Sequence, residues 1–119
     1  MARKPASAAE TQPNVSRDEL LQYYRDMLLI RRFEERTYQE YTRPGQKIGG
    51  FCHLYSGQEA VAVGIAAIFQ RGKDYLINGY RDHGHSLALG MDPGAAMAEM
   101  FGRAKWYAPR ITPALYALT

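Results

Sequence analysis

Only one stretch of this 119-residue chain, Tyr75-Leu76-Ile77, reads as a strand, and it stands among segments that read as helix. A lone strand leaves its backbone N–H and C=O groups without a ladder. Strands to pair with it must therefore come from further chain or from a partner. Helix, glycine-rich loop, helix, strand, helix, helix is an α/β order. The sequence thus predicts an α/β fold in which this chain supplies a helix-rich portion and an incomplete sheet.

The helices are read from caps and periodicity. Ser16-Arg17-Asp18-Glu19 is a capping box, with Ser16 as the cap and Glu19 reaching back. Leu20, Leu21, Tyr24, Met27, Leu28, Phe33, Tyr38 and Tyr41 then recur at helical spacing, which predicts one helix over about 17–41, ended by Pro44-Gly45. Arg32, Glu35, Arg36 and Gln39 fall on its other face, read as solvated, and Arg31 with Glu35 is an i,i+4 pair. Ser56-Gly57-Gln58-Glu59 reads as a second capping box, opening a small-residue helix from Ala60 to Phe69. The spacing predicts another helix over Arg81–Leu89, closed by Gly90. Asp92-Pro93 then supplies a cap and a first-turn proline for a last helix through about Phe101, stopped by Gly102.

Charge and composition exclude several classes. Fifteen basic and twelve acidic residues give a net charge of +3, with no run of five like charges, so nothing marks a nucleic-acid footprint. No apolar run approaches the length that spans a bilayer, so no membrane role is read. Cys52 is the single cysteine, which rules out an internal disulfide and a paired-cysteine metal site; it reads as a small buried hydrophobe. Residues 1–16 read as a disordered tail. Arg3, Lys4 and Ser7 point weakly to a transit peptide, and Glu10 counts against one.

The chemistry concentrates in INGYRDHGHS, residues 77–86, just past the strand candidate. Ligands in open α/β folds sit beyond the carboxyl ends of strands. Gly79 permits close backbone approach, Arg81 offers a planar charged fork suited to phosphate oxygens, and Tyr80 can donate its hydroxyl to the same anion. The next helix start adds free N–H groups. A capping turn carrying a surface arginine gives the same pattern. His53 lies in the other glycine-rich loop, 45–60, and converges with Arg81 if both loops face one cleft; a lone histidine next to Phe51 and Leu54 is more often a packing histidine. His83 and His85 are two apart, face different ways on a helix and do not suit one metal, so no metal site is read. Glu59 is explained by its capping role.

MLLIRRFEER (27–36), GFCHLYSGQEAVAVG (50–64), YLINGYRDHGHSLALG (75–90) and MAEMFGR (97–103) closely resemble the alpha subunit of the pyruvate dehydrogenase decarboxylating component, in its bacterial form. The alpha subunits for branched-chain 2-oxo acids and for acetoin share the plan, and the GFCHLYSGQEA loop fits the pyruvate branch best. The resemblance implies a partial thiamine diphosphate-binding fold over residues 17–104. It implies oxidative decarboxylation of pyruvate with transfer of the acetyl group to the lipoyl-bearing acetyltransferase component, in an alpha-2-beta-2 tetramer of the bacterial cytoplasm rather than the mitochondrial matrix. By the same resemblance His53 lines the cofactor site, Tyr80 and Arg81 contact the diphosphate, and His83 supports them. The acid that activates the cofactor's aminopyrimidine belongs to the beta subunit, so Glu59 is not given that task. Magnesium is bound in the family through a later GDG segment, which these 119 residues lack. Residues 105–119, KWYAPRITPALYALT, depart from the family pattern and read as a divergent tail of a fragment or a shifted frame. The chain alone is expected to be inactive. The alternative of another class is a non-catalytic module that pairs with a beta subunit.

Overall fold

A computed structural model describes residues 14–45 and 48–103. The tail read over 1–16 lies outside them up to residue 13, and the divergent segment 105–119 lies wholly outside. Helix α1 is Arg17–Thr42, α2 Glu59–Ile68, α3 His83–Ala88 and α4 Pro93–Met100. None of these helices is long and apolar enough to cross a membrane.

The caps explain where the helices begin. Glu19 N–H donates to Ser16 Oγ at 3.2 Å and Ser16 N–H donates to Glu19 Oε2 at 2.8 Å, so the first capping box closes as read. Pro44 forces the residue before it out of the helical region, and Arg43 accordingly turns extended after the last turn. Asp92 Oδ1 accepts from Ala95 N–H at 2.8 Å with Pro93 in the first turn of α4, again as read. Gly90 and Gly102 take positive φ of 92° and 69° directly after α3 and α4, a backbone that side chains resist.

α1, α2 and α3 pack against one another around one core. Ile30 and Phe33 of α1 meet Ala62 and Val63 of α2, Leu87 of α3, Ala96 of α4 and the loop residue Tyr55. Burying side chains such as Ile30 and Phe33 contributes about 2 kcal/mol each. Gly84 is what admits Tyr55: a Cβ there would lie 2.6 Å from Tyr55 Cγ, inside contact distance.

Four expectations are corrected. Tyr75-Leu76-Ile77 forms no strand, and no strand occurs among the described residues; Tyr75 and Ile77 are 75% and 77% exposed rather than buried. Three extended residues with no neighbouring strand gain no ladder bonds and cannot define a sheet. The second capping box does not form. Gln58 is the cap of α2 and makes no side-chain cap hydrogen bond, while Glu59 accepts from Gly57 N–H at 3.1 Å to each oxygen. Arg31 pairs across helices with Glu59 at 2.6 Å, and Glu35 takes Arg32 instead. Finally, the buried arc of α1 is Ile30, Phe33, Glu34, Thr37 and Glu40, while Leu20, Tyr24 and Tyr38 stand more than half exposed. Charges on α1 are therefore not confined to a solvated face.

Candidate functional site

A cleft of about 200 Å³ opens between the loop after α1 and the turn into α3. Ile48, Gly49, Phe51, Cys52 and His53 line it from one side, and Tyr80, Arg81 and His83 from the other, with Met100 of α4 closing it. Two glycine-rich segments well separated in sequence thus face one space, and His53, Tyr80, Arg81 and His83 all reach it. Gly50, at φ 71°, makes the turn that brings His53 in.

Tyr80 Oη and His53 Nδ1 are 3.3 Å apart, with the rings edge to face at 4.4 Å. Phe51, 90% exposed, stacks with His53 at 6.4 Å. His53 therefore touches two aromatic rings in the open rather than being sunk as a packing histidine. Arg81 lies over the Tyr80 ring at 5.3 Å. That separation is within cation–π range. Its Nε is buried and has no hydrogen-bond partner among the described residues, and no carboxylate there pairs with it. Arg81 is also the one non-glycine residue with positive φ, 60°, among those described. Such backbone costs about 1–3 kcal/mol and clusters where function requires a set direction. The helix expected to begin at Arg81 begins at His83, and six residues of helix with Asp82 as cap make a weak dipole end.

His83 stands at the back of the cleft. Its Nδ1 lies 3.0 Å from Glu34 Oε1, and its ring tilts against Phe33 at 5.8 Å. Burial pulls the His83 pKa down, but the Glu34 hydrogen bond and the charges of Glu34, Asp82 and Glu99 outweigh it, and the net shift is upward. His85 points elsewhere, to Tyr55 Oη at 3.5 Å, and burial lowers its pKa against a smaller opposing pull from Asp82. Cys52 is half-buried at the cleft wall, and burial, then the Glu34 charge, pushes its thiol up, which makes it a poor nucleophile. Glu59 sits outside this space, committed to Arg31 and Gly57. No group of three or more metal-binding side chains occurs among the described residues.

The residue that sequence reading passed over is Glu34. It is fully buried behind the cleft. Its position four residues from Ile30 and three before Thr37, inside the apolar arc, was the available signal.

Chemically, the cleft offers a guanidinium with no counter-ion among the described residues, a phenol hydroxyl and two imidazoles. This set fits a di-anion such as a diphosphate, and the orphaned Arg81 Nε is the observation that makes the fit. A family profile described as "Dehydrogenase E1 component" matches residues 25–110. The chain is similar to the pyruvate dehydrogenase E1 component subunit alpha of Zymomonas mobilis, 59% identical over 91 residues, covering 76% of this chain and 25% of that one. The subunit of the same name from Rhizobium meliloti is 52% identical over 105 residues, 86% and 29% of the two chains. The chloroplastic alpha-3 subunit of Oryza sativa is 44% identical over 101 residues, 85% and 23%. The chain thus spans about a quarter of the length of these curated relatives. No solved structure matches it.

Proposed function

Since the chain belongs to the dehydrogenase E1 component family, we propose that it is the part of a pyruvate dehydrogenase alpha subunit that receives the diphosphate end of thiamine diphosphate. The complete enzyme would decarboxylate pyruvate oxidatively and pass the acetyl group to a lipoyl-bearing acetyltransferase. A beta subunit would complete the cleft in an alpha-2-beta-2 assembly in the bacterial cytoplasm. Thiamine diphosphate, when bound, supplies the electron sink for decarboxylation; the residues of this chain bind and orient it. Arg81 would hold diphosphate oxygens with its fork, Tyr80 would donate its hydroxyl beside it, and His53, steadied by Phe51 and Tyr80, would line the path. Ligands for magnesium are expected in chain beyond these 119 residues.

The observation that carries this reading is the convergence on one cleft of His53, Tyr80 and an Arg81 whose Nε has no partner among the described residues. Its test is calorimetric binding of thiamine diphosphate and of thiamine to the chain co-expressed with the family's beta subunit. Arg81→Ala should weaken thiamine diphosphate at least tenfold and leave thiamine unchanged. Equal loss for both ligands, or none, would refute the assignment.

A second reading, an interaction module without catalysis, draws on the apolar stripe of α1. Leu20, Tyr24 and Leu28, spaced by four, share one exposed face, and Val61 and Ile68 of α2 are exposed as well. On this reading the stripe docks the beta subunit. Sedimentation of the chain with and without that subunit decides it: a monodisperse monomer that ignores the subunit would exclude the module.

A further inference from the structure

Glu34 is the buried acid that the proposed function leaves without a task. It lies on the core side of α1, with no exposed surface, beside Ile30, Phe33 and Thr37. Oε1 meets His83 Nδ1 at 3.0 Å; Oε2 is buried and has no hydrogen-bond partner among the described residues. A buried carboxylate with a single partner is a costly arrangement, and an apolar side chain of similar volume would serve the helix packing as well or better. Stability alone does not call for an acid at this position.

His83 connects that acid to the cleft. Its Nδ1 faces the core and Glu34, while the same ring lines the cleft with His53, Tyr80 and Arg81. A carboxylate only accepts hydrogen bonds, so Nδ1 carries the hydrogen in this pair. Nε2 has no partner among the described residues. The bond made at one imidazole nitrogen sets what the other offers.

We propose that Glu34 is a positioning residue of this cleft: it locks the His83 ring and keeps a hydrogen on Nδ1, so that Nε2 is presented to the occupant of the cleft. On the functional reading above that occupant is the diphosphate end of thiamine diphosphate, and the inference rests on that reading for the occupant's identity alone. The groups facing His83 are Glu34 from α1, Asp82 beside it, Glu99 from α4, and Cys52, His53, Tyr80 and Arg81 around the cleft. The acids among them favour the imidazolium, which protonates at Nε2. His83 then brings a second positive charge to the space that Arg81 occupies, and diphosphate binding strengthens as pH falls through its midpoint. Thiamine binding does not follow that change.

The test is the imidazole nitrogen spectrum of the full chain, labelled at histidine, followed over pH. The chain has three histidines, so His53→Gln and His85→Gln assign the signals. Wild-type His83 should hold its hydrogen on Nδ1. Glu34→Gln, which keeps an acceptor and removes the charge, should lower the His83 midpoint. The pH dependence of thiamine diphosphate affinity should move down with it. A hydrogen on Nε2 in the wild type, or an unmoved midpoint in Glu34→Gln, would overturn the proposal. The wild-type spectrum decides it even if the variant fails to fold. The tautomer and the shift appearing in a chain that does not bind thiamine diphosphate would uphold Glu34 and sink the functional reading instead.

Discussion

The Arg31–Glu59 pair should make the chain acid-sensitive in a defined window. Glu59 is nearly buried, accepts from Arg31 Nε at 2.6 Å and from Gly57 N–H at 3.1 Å, and its carboxyl is held at about 2 against an ordinary 4.5. The Arg31 hydrogen bond is the main cause, opposed by burial and helped by the backbone donors and the Arg31 charge. A group depressed in the folded state binds its proton more readily when unfolded, so its contribution is present above about 4.5 and lost as pH falls toward 2. At about 1.4 kcal/mol per pH unit the full difference corresponds to ~3 kcal/mol. The Arg31 side chain is 46% exposed, however. Solvent screening therefore reduces the contribution of Glu59 to about 1–2 kcal/mol. Glu59→Gln keeps the shape and removes the charge. Urea unfolding of wild type and variant at several pH values should show a stability gap of about 1–2 kcal/mol at pH 6–7 that shrinks by roughly half by pH 3. A gap that is constant with pH, or that widens on acidification, would refute the assignment of Glu59 as a charged partner of Arg31.

Gly84→Ala places a new methyl on the Tyr55 ring. It should destabilise by about 1–3 kcal/mol in urea unfolding, even though alanine is the better helix former by ~1 kcal/mol; a stabilised variant would show that Tyr55 yields. Asp92→Ala removes the cap on Ala95 N–H. It should cost about 1 kcal/mol, read as a lower urea midpoint at unchanged slope. Arg81→Gly relieves a left-handed backbone position. It should stabilise by up to ~1 kcal/mol while abolishing selective binding of thiamine diphosphate over thiamine. Loss of both stability and binding would mean that Arg81 holds the fold rather than the ligand.

What was legible in the sequence is what neighbours decide. Ser16 with Glu19, Asp92 with Pro93, and the glycines after α3 and α4 act within a turn of their own position, and the structure keeps them. What was not legible is competition from a distance. The Ser56–Glu59 box has the right spacing, but Glu59 is taken by Arg31, 28 residues away, and by Gly57. Arg31 is lost to Glu35 for the same reason. Tyr75-Leu76-Ile77 has strand-forming residues, yet a strand exists only as a member of a sheet, and none is formed by the described residues.

The candidate site was legible in the residues that converge on the cleft. His53, Tyr80, Arg81 and His83 carry unusual chemistry in glycine-rich loops, and they do meet in one cleft. The supporting half hides because Glu34 and Glu35 are the same letter side by side in the sequence. A helix turns about 100° per residue, so adjacent positions face different surroundings. Glu35 lies near solvent with Arg32, and Glu34 lies in the core behind His83. Natural chains agree with local rules almost everywhere, and departures gather where function is worth their cost. Two departures stand out here: Glu34, a carboxylate in the buried arc of α1 bonded only to His83 among the described residues where Glu40 has two arginines, and a non-glycine at a left-handed backbone position. They come from segments far apart in the chain: Glu34 bonds the His83 ring from the core, and Arg81 lines the same cleft as that ring. That coincidence is the strongest reason to treat Glu34, His83 and Arg81 as one unit rather than as three separate oddities.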